Sequence, residues 1–299
     1  MDKLLGEYLD YLEIEKNRSV KTRENYERYL ARFLNWAKVS SPGEIDDESV
    51  RKYRLWLNRQ NLKKQTQNYY VIALRGFLKY LAKRGVKTLP AERIELARSP
   101  SRDIEVLEAD EVERLLSSPN VGSLQGKRDR ALLEILFSTG LRVSELCSLN
   151  RDSVNLSRDE FSVRGKGDKV RVVFLSGPAK KALADYLDSR GDIDEALFIH
   201  IPRGKTFRQA QGTMRLTPRS VQRMVKKHAV GAGITKDVHP HVLRHSFATD
   251  LLRNGADLRS VQALLGHSSI TTTQIYTHLT DTHLHEVHKA FHARRRNKA

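Results

Sequence analysis

The chain has 299 residues, enough for two domains that each enclose a core. Lysine and arginine number 53 against 36 acidic residues, a formal charge of +17, which favours a polyanionic partner and nucleic acid above others. A single cysteine excludes an internal disulfide, and without an apolar N-terminal segment or a run of about 18 apolar residues neither a signal peptide nor a membrane span is expected, so a cytoplasmic protein is. The positive excess is not a tail: residues 1–100 hold 21 basic and 13 acidic side chains, residues 101–299 hold 32 and 23. Both parts are therefore expected to touch phosphate.

The first hundred residues read as helices. Leu4, Tyr8, Leu9 and Leu12 form one apolar stripe. Tyr26, Tyr29, Leu30, Phe33, Leu34 and Ala37 form a second behind Ser19, a good N-cap. Val50, Tyr53 and Leu57 follow Asp46 and Asp47, and Val71, Leu74, Leu78 and Leu81 precede Gly85. A four-helix module is expected, with Lys21, Arg23, Arg28, Arg32, Lys63, Lys64, Arg75 and Lys79 on polar faces as candidate contacts to a DNA backbone. The periodicity breaks between Glu92 and Leu107, where Ser99-Pro100-Ser101-Arg102 reads as an extended linker. The expected division is 1–96, a linker at 97–106, and a second domain at 107–299. The second part is mostly helical with a small sheet expected at Ser153 to Leu156, Glu160 to Val163, Val170 to Leu175 and Leu197 to His200. Cys147, among apolar helix positions, is expected to be a small core residue.

Five segments carry residues suited to chemistry. Gly140 ends one helix and Arg142 opens the next. Gly165-Lys166-Gly167-Asp168 joins two strands as a hairpin tip, from which Lys166 projects. Pro240 suits the first turn of a helix on which His241 and Arg244 stand three apart, with Leu243, Phe247 and Leu251 as the buried stripe. Gly255 ends that helix, Asp257 caps the next and Gly266 ends it, so His267 lies on a helix-ending turn. Tyr276 follows nine residues on, and His283 to Phe291 reads as a C-terminal helix. A phosphodiester under attack gains negative charge, which fixed cationic donors stabilise. Arginine offers a planar fork that stays protonated, histidine moves protons near neutrality, and tyrosine is a weak nucleophile until activated. Taken singly each residue has an ordinary role, and His245, His278, His283, His285, His288 and His292 are read as structural or surface histidines. All six chemical groups together, in order, point to phosphoryl transfer at tyrosine.

With TGLRVSEL around Arg142, RGKGDKVR around Lys166, HVLRHSFAT around His241 and Arg244, LLGHSS around His267 and QIYTH around Tyr276, the chain resembles the tyrosine recombinases, or lambda-integrase family, and within it the Xer type. The resemblance covers essentially the whole chain. It implies a mainly α fold: an N-terminal four-helix, SAM-like core-binding domain, and a mostly helical catalytic domain with a small antiparallel β-sheet. Tyr276 would attack the scissile phosphate to form a 3′-phosphotyrosine, Arg142 and Arg244 would bind the non-bridging oxygens with His267 as a further donor, Lys166 would protonate the leaving 5′ oxygen, and His241 would assist proton transfer at the tyrosine. No cofactor or metal is implied. The implied partners are double-stranded DNA bearing a specific recombination site, further protomers in a homo- or hetero-tetramer joined through the C-terminal helix, and a DNA translocase as a candidate activator; no membrane is implied. The implied role is strand exchange through a Holliday junction, most simply in chromosome dimer resolution. A mobile-element integrase or transposase and a non-catalytic DNA-binding protein of the same fold are the alternatives. The core-binding pattern begins near Met1, with no arm-type domain before it, which favours the cellular role.

Overall fold

The structure, a computed structural model, describes residues 1–98, 105–165, 169–202 and 213–266. The chain divides into two compact units, Met1–Arg102 and Asp103–Ala299.

The first unit is built from α1 (Asp2–Ile14), α2 (Val20–Ala37), α3 (Asp47–Arg59) and α4 (Lys64–Lys83), the four helices that the apolar stripes predict. Ser19 caps α2 by accepting the Thr22 N–H, and Asp46 and Ser49 form a reciprocal capping box at the start of α3. α4 is the central helix and packs on the other three. Tyr70, Leu74, Phe77, Leu78 and Leu81 of α4 meet Tyr8, Leu30, Phe33, Tyr53 and Leu57 in one core. The tract expected to be linker starts inside this unit. A 3-10 turn at Ala91–Arg93 is followed by buried Ile94, and Ala97 exchanges two hydrogen bonds with the Asn68 side chain. Ser99-Pro100-Ser101-Arg102 lies outside the described residues.

In the second unit α5 (Ala109–Ser117), α6 (Leu124–Thr139), α7 (Val143–Ser148), α8 (Gly177–Asp188), α9 (Pro218–Gly231), α10 (Pro240–Arg253) and α11 (Leu258–Leu265) surround a hairpin of β1 (Glu160–Arg164) and β2 (Val170–Phe174). α6 is buried on most of its circumference and packs against α5, α8, α10 and β2. Its buried residues include charged ones, which are paired: Arg128 with Asp129, and Glu134 with Arg130. The strands pair antiparallel in register Phe161 with Val173 and Val163 with Arg171, and the Gly165 N–H closes the loop onto the Lys169 carbonyl.

Two of the four expected strands do not form. The segment from Arg151 to Ser153 is a 3-10 turn whose N-cap Asn150 donates its N–H to the Ser153 hydroxyl, and just beyond it Asn155 Oδ1 accepts the Ser157 N–H. Leu197 to His200 makes a single isolated bridge, Ile199 with Arg215, beside that of Asn150 with Ala196 just before it. Here buried guanidiniums compete for the carbonyls: Arg190 holds those of Ala196 and Leu197, and Arg128 that of Ile199. Cys147 is buried, as its neighbours imply.

Candidate active site

α10 begins at Pro240 with His239 as N-cap, as the sequence predicts, but the burial of its faces differs from the expected stripe. Leu243 is fully buried, whereas Phe247 and Leu251 are only partly so; they join Ala248, Leu252, Val261 and Leu265 in a second, smaller core between α10 and α11. The larger correction concerns Arg244, which the expected stripe of Leu243, Phe247 and Leu251 leaves out of the core. Its guanidinium is inside, at 4 % exposure, while His241 reaches the surface.

A buried guanidinium needs its donors occupied. Arg244 donates through Nη1 to the Gly140 carbonyl and through Nη2 to the Leu265 carbonyl at 2.7 Å. One side chain thereby ties the end of α6 to the end of α11. Both ends are glycine-terminated in the left-handed region, Gly140 at φ +59° and Gly266 at φ +64°. Close approach demands glycine there too. A Cβ on Gly140 would lie 2.5 Å from the Phe247 ring, and one on Gly266 2.8 Å from Arg171 Cδ.

Arg142 is the N-cap of α7, two residues beyond Gly140. Glu145, one turn on and buried, accepts the Arg142 backbone N–H at 2.8 Å and its Nη1 at 2.7 Å. The same carboxylate receives Arg171 Nη1 at 3.0 Å and Nη2 at 2.7 Å, a bidentate pair. Burial opposes ionisation of Glu145, but Arg171 and the Arg142 amide and guanidinium outweigh it and bring its pKa down to about 2. Arg142 keeps 29 % of its side chain exposed although Glu145 holds its backbone N–H and its Nη1, which leaves the rest of the guanidinium able to meet a ligand.

His241 has its pKa lowered, first by desolvation and then by His239, Arg244 and Arg142. Both arginines thus act electrostatically on this ring. His245, one turn along, is pushed down to about 4 by desolvation and by His241 and Arg244. Both imidazoles are neutral at pH 7, and His241 can accept a proton.

The structure brings Arg142, His241 and Arg244 together through α7, α10 and the glycine turns. Lys166, His267 and Tyr276 lie outside the described residues, as does the expected helix from His283 to Phe291. Gly165 and Gly266, the neighbours of Lys166 and His267, are described, and both stand against Arg171. Sequence reasoning missed Glu145 and Arg171. Glu145 had a signal, the three-residue capping spacing from Arg142. Arg171 had a weaker one: a charge at the inward position of β2, facing Val163 across the hairpin, while Val170, Val172 and Phe174 point outward and are exposed. Among the described residues no three His, Cys, Asp or Glu side chains gather as a metal-binding group, and no described helix is long and apolar enough to cross a membrane.

Of the polar-face cations in the first unit, several are engaged within it. Arg23 faces Asp10, Glu13 and Glu27; Arg32 lies over the rings of Trp56 and Tyr70 and donates to the Tyr70 hydroxyl; Lys21 pairs with Glu24. Lys63 and Lys79 are exposed.

Comparison with known proteins agrees with this geometry. Residues 105–283 match the phage integrase family and residues 5–85 the SAM-like N-terminal domain of phage integrases. The tyrosine recombinase XerC of Xanthomonas axonopodis pv. citri is 39 % identical over 98 % of this chain and 98 % of its own. The tyrosine recombinase XerD of Listeria innocua is 37 % identical over 98 % of this chain and all of its own. Among solved structures, the XerH site-specific recombinase bound to palindromic difH substrate in a post-cleavage complex superposes with a TM-score of 0.72 at 25 % identity, covering 91 % of this chain and 80 % of that one. The XerA recombinase gives 0.53 at 33 % identity, with 97 % and 98 % covered. This chain therefore belongs to the phage integrase family and, within it, to the Xer-type tyrosine recombinases, enzymes of DNA strand exchange.

Proposed function

We propose that the protein is a site-specific recombinase that cuts and rejoins duplex DNA through a 3′-phosphotyrosine at Tyr276 and a Holliday junction, in the resolution of chromosome dimers in the cytoplasm. The observation that carries this reading is that Arg142, held through its backbone N–H and Nη1 by Glu145, and Arg244, fixed by two helix-end carbonyls, both act on the His241 ring. Two guanidiniums in a rigid frame suit the two non-bridging oxygens of one phosphate. The Tyr276 oxygen attacks phosphorus and the bond to the 5′ oxygen breaks. The phenolic proton passes to His241, Lys166 supplies a proton to the leaving 5′ oxygen, and His267 donates to the phosphate. Rejoining is the reverse step with a 5′ hydroxyl of the exchanged strand. The working assembly is a tetramer on DNA, of one recombinase or of two related ones, linked by the C-terminal helix; a DNA translocase is the candidate activator. The domain division proposed is 1–96, 97–106 and 107–299.

The test is a duplex nicked next to the cleavage position, so that the released fragment diffuses away and the adduct is trapped. Wild type should yield a covalent protein–DNA band on a denaturing gel, and Tyr276→Phe none. A band that survives Tyr276→Phe rejects this nucleophile, and no band from wild type on any Xer-type site supports a protein that only binds.

A further inference from the structure

Arg171 sits on neither of the elements that carry the site's described arginines, yet it is bonded to the supports of both. Its Nη1 and Nη2 grip the Glu145 carboxylate, which in turn holds the backbone and guanidinium of Arg142. Its Nε donates to the Leu264 carbonyl at 3.1 Å, one residue before the Leu265 carbonyl that Arg244 holds. The side chain is 10 % exposed, so all three contacts are made in a largely desolvated setting where a fixed charge orients its partner strongly. Gly266 leaves room for its aliphatic stem, and Gly165, at the base of the β1–β2 loop, stands where a Cβ would come within 3.4 Å of Nη1. Without Arg171, the buried Glu145 carboxylate would turn wholly to Arg142, drawing that guanidinium inward and away from a ligand.

We infer that Arg171 is a positioning residue for phosphate capture: through Glu145 it holds Arg142 outward, and through the Leu264 carbonyl it fixes the end of α11 against which Arg244 is set. The inference rests on the proposed phosphoryl-transfer reading. It differs from a purely structural role in one measurable respect. If Arg171 acts by aiming Arg142 at a charged non-bridging oxygen, removing that charge from the substrate removes the need for it.

The experiment compares wild type with Arg171→Gln and Arg171→Lys on two nicked duplexes, one with an ordinary scissile phosphodiester and one with a methylphosphonate there, reading the rate of covalent adduct formation and DNA affinity. Each variant should slow cleavage of the ordinary duplex by about 10²-fold, as loss of one preorganised donor does, and cleavage of the methylphosphonate by less than about threefold, with DNA affinity within about threefold of wild type. Because both substrates meet the same preparation, any inactive fraction scales both rates alike and cancels. Equal slowing on both duplexes, or no slowing on either, overturns the inference. So does a wild type that cuts the phosphodiester but leaves the methylphosphonate intact. A wild type that forms no adduct on the ordinary duplex instead sinks the phosphotyrosine reading itself.

Discussion

At the scale of single residues, the site depends on side chains whose surroundings invert their usual behaviour. Arginine is ordinarily a surface residue, but Arg244 is buried because two backbone carbonyls, orphaned at the ends of α6 and α11, need donors and the guanidinium needs acceptors. Replacing it by alanine therefore does two things at once. It removes the guanidinium proposed to meet the reacting phosphate, and it strands two carbonyls at about 1–3 kcal/mol each. Arg244→Lys keeps a charge without the fork, and is expected to lose at least about 10²-fold in adduct formation while DNA affinity measured by gel shift falls less than about fivefold. Equal losses in both would mean that Arg244 docks DNA rather than stabilising the reacting phosphate. Gly140 shows the backbone side of the same constraint. Alanine there meets both a left-handed backbone and the Phe247 ring, and Gly140→Ala should cost about 2–4 kcal/mol in denaturant unfolding. A loss below about 1 kcal/mol would show that α10 can retreat from the turn freely.

At the scale of elements, the helices were legible and the irregular parts were not. Ser19, Asp46 and Asp257 cap the helices they were expected to cap, and Gly140 and Gly266 end theirs, because capping is a contest decided within four residues of chain. The hairpin from Glu160 to Phe174 was legible for the same reason. The segment from Leu197 to His200 reads as a strand locally, but its carbonyls are claimed by Arg190 and Arg128 from elsewhere in the fold. Arg190 lies only six and seven residues before the carbonyls it takes, but Arg128 is 71 residues from Ile199, and no strand pattern announces either competitor. Motif spacing proposed Arg142, His241 and Arg244 as site residues, whereas Arg171 was hidden because only its partner on α7 gives a charge at that strand position a purpose. α10 carries a consequence for pH. His245 is held neutral in the folded protein with a pKa near 4, whereas in the unfolded chain it protonates near pH 6.5. The unfolded state thus binds the extra proton between these values, and stability falls as pH drops from 6.5 towards 4, by up to about 3 kcal/mol from this group. Urea midpoints at pH 7 and pH 5 measure it. His245→Gln should lose clearly less stability over that interval than wild type does, and an identical loss would place the proton uptake on other groups.

At the scale of the whole molecule, each unit has its own core and its own positive excess, so contact with DNA phosphate can be tested for each unit separately. The aromatic cluster around Tyr8, Phe33, Tyr53 and Phe77 is complete within residues 1–98, and the core around α6 lies wholly in the second unit. Each is large enough to fold alone, since domains of about a hundred residues bury most of what their unfolded chains expose. Residues 1–98 produced separately are therefore expected to show helical circular dichroism and a single cooperative melt. The charge argument then becomes quantitative through salt. Each phosphate neutralised by a lysine or arginine releases condensed counterions, so the logarithm of the binding constant falls linearly with that of salt, with a slope of about −0.9 per phosphate contacted. Residues 1–98 carry the whole excess of the first hundred, 21 basic over 13 acidic. Part of that excess is already committed, as Arg23 and Lys21 show, and a slope well below the raw charge is expected for the fragment. The full chain on the same non-specific duplex should give a steeper slope than the fragment, because the second unit adds its own phosphate contacts. If residues 1–98 fold but show no salt-dependent binding, the first unit is not a DNA-contacting module. If fragment and full chain share one slope, the second unit touches no phosphate outside its reacting centre.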